Sequence, residues 1–338
     1  MSTGPAHAAQ RAAAPRTGGR SLTGRLLAGV LRSASAVLGQ LPDRLLHRAA
    51  HGAGWLLYLL WPNRRALVRR NLARVCSYLV DQRLVEAGSA AALAARDEHA
   101  LERLVRQAFG HYVRGYLEVT IVAAYARRGH DELIELDEPS LLTHAFGPPG
   151  GETGPLIVVA LHFGAIELPG VWAARRGLRV TAPMETLHNP DLQAYLVQSR
   201  SASGLRLVAA HGAGRQLVAA LEHGEVVAIV ADRVVAGAGA RTQLFGAPTR
   251  LPLGPAVLAL ESGARAWLVA VRRTGWGRYR AHLEHIEMPP EGNRRERLSR
   301  FLDAQARAFE RAVAAAPEQW WALFFPIWLE KGAGGGAT

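Results

Sequence analysis

Cysteine is nearly absent: Cys76 is the sole thiol in 338 residues. One cysteine builds neither a disulfide framework nor a thiolate metal cluster, so the chain suits a reducing compartment. Lysine is as scarce, with Lys331 the only one, and nearly all of the positive charge is arginine. No apolar run reaches the roughly 20 residues that a spanning helix needs. Leu26 to Leu41 is broken by Arg32, and Ala49 to Trp61 is too short. Residues 1–20 lack the apolar core of a signal peptide and read as a disordered leader. Several catalytic signatures are also missing. There is no G-x-S-x-G elbow, no G-x-x-x-x-G-K-[ST] loop and no H-E-x-x-H helix. Gly212-Ala-Gly214 and Gly237-Ala-Gly239 lack the strand-turn-helix context and third glycine of a dinucleotide fingerprint. His282 and His285 fall on opposite faces of an expected strand, so no metal site is expected.

What is present is unevenly distributed. Twelve arginines precede position 80 against one acid, Asp43. Such a segment attracts either nucleic acid or an anionic membrane surface. The apolar run Leu56-Leu57-Tyr58-Leu59-Leu60 is bracketed by Trp55 and Trp61 and followed by Arg64/Arg65 and Arg69/Arg70. An apolar body with aromatic edges and an arginine flank suits the headgroup boundary of a bilayer. It lacks the repeated base-stacking aromatics of a nucleic-acid surface. A peripheral protein on the cytoplasmic face of the inner membrane is expected, acting as a monomer and without a nucleic-acid partner.

The fold class expected is α/β, with a mostly parallel central sheet sandwiched by helices and preceded by an amphipathic helical membrane-binding region. Helix-period apolar positions fall at Leu22–Val37, Pro42–Leu60, Arg64–Val80 and Asp97–Ala126, while Glu86–Arg96 reads as helix or connector. A loop containing Pro148, Gly150, Gly151 and Gly154 leads into an α/β region. Strands are expected at Leu156–Leu161, Arg179–Ala182, Leu205–Val208, Val226–Val230, Ala266–Val271 and Tyr279–Leu283. Helices alternate with them at Ala165–Arg176, Leu192–Ser201, Gly214–Glu222 and Pro255–Ser262, and Arg294–Ala315 is a long amphipathic one. The domain reading is a leader over 1–20, a helical membrane-associating region over 21–150, an α/β domain over 151–330, and a flexible tail over 331–338. No internal repeat is visible.

The strand Leu156–Leu161 runs straight into His162, with Glu167 five residues later. That places an imidazole at the carboxyl end of a central strand, where open α/β sheets bind ligands. An imidazole oriented by a carboxylate is a general base for an attacking hydroxyl. Glu167, in the first turn of the following helix, is close enough to fold back on the ring; it also fits a helix-dipole role alone. Asp232 and Arg233 follow the strand Val226–Val230, Glu185 follows another strand, and Arg200 lies late in a helix. Three carboxylates and two arginines converging on His162 would suit a reaction that develops negative charge on oxygen near a phosphorylated substrate.

Leu161-His162-Phe-Gly-Ala-Ile-Glu167 resembles the H-x-x-x-x-[DE] motif of the glycerolipid acyltransferase superfamily. The chain looks most like its bacterial branch of lipid A late acyltransferases and phosphatidylinositol mannoside acyltransferases. Arg64-Arg65-Ala-Leu-Val-Arg-Arg-Asn71-Leu, Val226 to Arg233, Leu244 to Pro248, Pro252 to Ala256 and Pro317-Glu-Gln-Trp320 resemble further blocks of that branch, in order. The resemblance implies acyl transfer from acyl-CoA or acyl-carrier protein to a lipid hydroxyl, with no cofactor beyond the donor. It implies His162 as general base, Glu167 or Asp232 as its acidic partner, and Glu185, Arg200 and Arg233 at the substrates. The oxyanion would fall to the helix end after Gly164 or to an arginine. The apolar Ala322-Leu-Phe-Phe-Pro-Ile-Trp328 after P-E-Q-W favours a mannoside-type glycolipid acceptor over lipid A. The alternatives are a lipid hydrolase using the same histidine, and a non-catalytic basic membrane-binding protein.

Overall fold

The computed structural model describes residues 22–148, 154–187, 189–234 and 239–329. The expected leader and tail, and Gly150 and Gly151 of the linking loop, lie outside these residues. At the amino end, α1 (Leu22–Leu38), α2 (Asp43–Leu60), α3 (Pro62–Asp81), the short α4 (Ala90–Ala94) and α5 (Glu98–Arg127) follow in order. Ser89 caps α4 and Asp97 caps α5, each accepting a backbone N–H of the first turn. Glycines let α2 and α5 meet closely: a Cβ on Gly54 would lie 2.5 Å from the amide nitrogen of Gly110.

The sheet comprises β1 (Ile134–Leu136), β2 (Leu156–Ala160), β3 (Val180–Met184), β4 (Leu205–Ala209), β5 (Val226–Val230), β8 (Arg265–Gly275) and β9 (Arg278–Ile286). Their order across it is β1-β9-β8-β2-β5-β3-β4. All pairings are parallel except the β8–β9 hairpin, so the expected mostly parallel sheet is present. Between the strands come α6 (Ser140–Phe146), α7 (Leu168–Arg175), α8 (Pro190–Ser201), α9 (Gly214–Glu222) and α10 (Gly254–Ser262), with α11 (Arg294–Ala314) after β9. Asn293 and Glu296 form a capping box at the start of α11.

Two strands not expected from the sequence, β6 (Gly239–Leu244) and β7 (Ala247–Pro252), form a separate antiparallel hairpin. Its turn is made by Phe245 and Gly246, both at positive φ. β1 was also unforeseen, because three residues are too few to show a period.

Strand alternation divides the core. Ile157, Val159, Val227, Ile229 and Leu268 face a cluster built with α3, α5, α9, α10 and α11. Leu156, Val158, Val226, Trp267 and Val269 face a second cluster with Leu46, Tyr125 and α7. The expected boundary at 150/151 is not a break in packing. β1 precedes it yet pairs with β9, and apolar residues of α3 and α5 share one cluster with the sheet. No helix among the described residues is long and apolar enough to cross a membrane.

Candidate active site

β2 and β5 are parallel neighbours, with Ala160 opposite Val230. Two residues further along each strand come His162 and Asp232, so the register alone brings them side by side at the carboxyl edge. The Nδ1 of His162 lies 2.7 Å from Oδ1 of Asp232. The other carboxylate oxygen, Oδ2, accepts the backbone N–H of His162 at 3.0 Å and the indole N–H of Trp320 at 2.9 Å. Asp232 is buried, whereas the imidazole is 28% exposed on its side chain. An acid acceptor at Nδ1 keeps the ring proton there and leaves the lone pair of Nε2 free. Burial alone would raise the Asp232 pKa. The attraction of His162, with the imidazole, indole and amide hydrogen bonds, outweighs burial and holds the carboxyl below its ordinary value.

The turn after His162 is locked from two sides. Gly164 has φ +52°, and a Cβ there would fall 2.0 Å from the carbonyl oxygen of Val271. Its N–H donates to the Gln319 carbonyl, and the N–H of Trp321 donates to the His162 carbonyl. The side chain of Gln319 both accepts from the Arg273 N–H and donates to the Arg273 carbonyl, each at 2.9 Å. Arg273 in turn donates to the Gly164 carbonyl at 2.8 Å and is paired with buried Glu118, which also meets Arg114. Pro317-Glu-Gln-Trp320 is thus the strap that fixes the dyad. Sequence reading found that block by resemblance only and missed Arg273 and Glu118, whose sole signal was charge inside apolar segments.

Glu167 does not reach the imidazole. The helix expected from Ala165 starts at Leu168, because the Gly164 turn consumes the intervening residues and Pro169 sits in the first turn. As the residue before that helix, Glu167 turns to Arg200, which it binds through Nε at 3.1 Å and through Nη2. Burial works against the Arg200 charge, but Glu167 outweighs it and the guanidinium pKa is raised. Glu185 is exposed beyond β3 and makes no ion pair with the other candidates among the described residues. The expected convergence of three carboxylates on His162 is therefore one carboxylate, Asp232. Arg233 is half-buried with its guanidinium 4.4 Å over the Phe325 ring.

Two backbone donors of the Gly164 turn are also engaged. Gly164 N–H meets Gln319, and Ala165 N–H donates to the Val271 carbonyl at 2.8 Å.

Between α7 and the sheet lies a cavity of about 120 Å³, whose lining reaches Ala160 and Val230, two residues short of His162 and Asp232. Its walls are apolar, including Val158, Val180, Leu205, Leu207 and Val226, with Phe146 also on the lining. The Glu167–Arg200 pair is the charged part of that lining. Since the lining follows β5 from Val226 to Val230, the space runs about 13 Å along the strand at the usual rise per residue.

Comparison with known proteins identifies the family. The sequence model of the bacterial lipid A biosynthesis acyltransferases matches residues 90–329. The chain is 29% identical to a phosphatidylinositol mannoside acyltransferase of Mycobacterium tuberculosis (strain ATCC 25618 / H37Rv) over 182 residues, 51% of this chain and 54% of that protein. It is 25% identical to one of Mycolicibacterium smegmatis over 235 residues, 67% of this chain and 72% of that protein. The chain thus spans about half the length of the tuberculosis relatives it matches.

Proposed function

The chain belongs to the bacterial lipid A biosynthesis acyltransferase family, and on that premise we propose that it moves a fatty acyl chain from a thioester to a membrane glycolipid. The observation that carries this reading is an imidazole with a free Nε2, held by a buried carboxylate, two residues beyond the lining of an apolar slot. Nε2 of His162 takes the proton from the acceptor hydroxyl as its oxygen attacks the thioester carbonyl. Asp232 stabilises the imidazolium that results. When the tetrahedral intermediate collapses, the carbon–sulfur bond breaks and the imidazolium returns its proton to the departing thiolate. The products are an ester and a free thiol, and His162 is ready for the next cycle.

The apolar cavity suits the acyl chain, with Glu167 and Arg200 setting its polar lining. Either acyl-CoA or acyl-carrier protein supplies the chain in this reading. A mannoside-type acceptor is preferred, on the apolar residues that follow Trp320 and on the names of the relatives. Membrane association fits α2, whose buried face carries Leu46, Ala50 and Gly54 while Leu45, Trp55, Leu56, Leu59 and Leu60 are exposed. An exposed apolar ridge of this kind, backed by arginines, favours peripheral attachment to an anionic leaflet. Incubating the protein with radiolabelled palmitoyl-CoA and a bacterial lipid extract tests the proposal. A labelled polar lipid is expected, and its identity names the acceptor. Label released only as free fatty acid would replace transfer with thioester hydrolysis.

A further inference from the structure

Many arginines of the fold meet carboxylates, as Arg114, Arg175, Arg200, Arg273 and Arg311 do, and others lie over aromatic rings, as Arg65 and Arg74 do. Arg64 and Arg233 meet none among the described residues. They come from opposite ends of the chain's architecture, the first turn of α3 and the loop after β5, yet they share one aromatic ring. Arg233 lies 4.4 Å and Arg64 6.0 Å from the centroid of Phe325, and Arg64 also lies 4.9 Å from that of Trp61. Arg64 is pinned by a hydrogen bond to the Phe324 carbonyl. The neighbouring Phe324 is stacked on Tyr112 at 4.0 Å.

This arrangement is electrostatically incomplete. The first turn of α3 carries Arg64 and Arg65 and no acid, although a helix amino terminus is already the positive end of its dipole. Two guanidiniums held near one ring repel each other unless an anion joins them. Their place is next to the chemistry: Arg233 adjoins Asp232, and Trp321, which stacks on Tyr116 at 5.6 Å, stands 6.2 Å from the His162 ring. Arginine stacked on an aromatic face keeps its in-plane N–H donors available, and two of them match the oxygens of a phosphate.

We infer that Arg64 and Arg233 form a phosphate clamp, with Phe325 as its aromatic support, that holds a phosphate group of a substrate while the reacting carbon lies at His162. The inference rests on the acyl-transfer reading and deepens it. It assigns Arg64, which by sequence belongs with the surface charge of the amino-terminal helices, to the substrate site. Two sources offer the same chemistry: the phosphates of the coenzyme or carrier-bound pantetheine, and the phosphodiester of a glycolipid headgroup.

Binding measured without turnover separates the clamp from the reaction. Coenzyme A is compared with pantetheine, and glycerophosphoinositol with inositol, by isothermal titration of the full chain and of the double variant Arg64→Gln/Arg233→Gln. The first member of each pair carries phosphate, together with adenosine or glycerol, and the second carries none, so the double variant serves to isolate the contribution of the phosphate. The parent protein is expected to prefer one phosphorylated member, with roughly tenfold of that preference lost per arginine removed. Loss of the coenzyme A preference places the clamp on the donor, and loss of the glycerophosphoinositol preference places it on the acceptor. The proposal is overturned if the parent shows neither preference, or if the double variant, with an unchanged melting temperature, keeps whichever the parent shows. Absence of acyl transfer by a parent that shows the preference would instead count against the reaction and leave the clamp standing.

Discussion

Replacing Asp232 with asparagine separates the catalytic part of the dyad from its structural part. The two carboxylate oxygens have different duties. Oδ2 accepts the Trp320 indole at 2.9 Å and the His162 amide at 3.0 Å, while Oδ1 alone faces Nδ1. An asparagine whose oxygen takes the Oδ2 position keeps both structural bonds. Its amide nitrogen then faces Nδ1 and donates to it, driving the ring proton onto Nε2. The base is lost while the scaffold stands. Loss of one charge-assisted hydrogen bond costs about 1.5–3 kcal/mol of stability. Transfer should fall by about 10³ to 10⁴, or roughly 4–5.5 kcal/mol of transition-state stabilisation, the scale set by a wrong tautomer in a histidine–aspartate pair. Asp232→Ala should be worse for the fold, since two buried donors then lack an acceptor at about 1–3 kcal/mol each. Initial rates of labelled transfer, with melting temperatures of the same samples, check both numbers. Turnover by the asparagine variant within about tenfold of the parent would refute the tautomer argument.

Three further outcomes follow from the surroundings of the dyad. Gly164→Ala places a Cβ 2.0 Å from the Val271 oxygen at a residue with φ +52°, so it should cost roughly 2 kcal/mol or more and displace the His162 turn, seen as a lowered melting temperature with a lowered rate. Arg273→Met leaves buried Glu118 short of one partner and frees the Gly164 carbonyl; denaturant titration should report a loss of about 3–5 kcal/mol. Burial pushes the carboxyl of Glu318 up to about 7, so between the ordinary carboxylate range and that value the folded chain holds a proton that the unfolded chain has released. Stability should therefore fall as pH rises through this window, and Glu318→Gln should flatten that slope in melting curves recorded across it.

The parts of the fold read correctly from sequence are those whose signal is local. The continuous apolar run of β2, the glycine-punctuated helices and the periodicity of α5 and α11 each lie within a short window. The register that pairs His162 with Asp232 does not, because it depends on β2 and β5 being neighbours across 70 residues of chain. Spacing placed Glu167 near His162 by assuming a helix from Ala165. The left-handed Gly164 and the late start of α7 sent that carboxylate to Arg200 instead. Trp320 was visible as part of a resembling block, but its role as donor to Asp232 comes from a chain segment returning to the sheet edge. The β6–β7 hairpin escaped notice because Gly239-Ala-Arg-Thr-Gln-Leu244 shows little of the aromatic and β-branched enrichment of a strand.

The most direct test of the central claim is the transfer rate of His162→Ala under conditions where the parent turns over. If Nε2 of His162 is the general base, the rate falls by at least about 10² to 10⁴ while melting temperature and vesicle binding stay close to those of the parent. Transfer at a rate near that of the parent, from an equally folded variant, would contradict it.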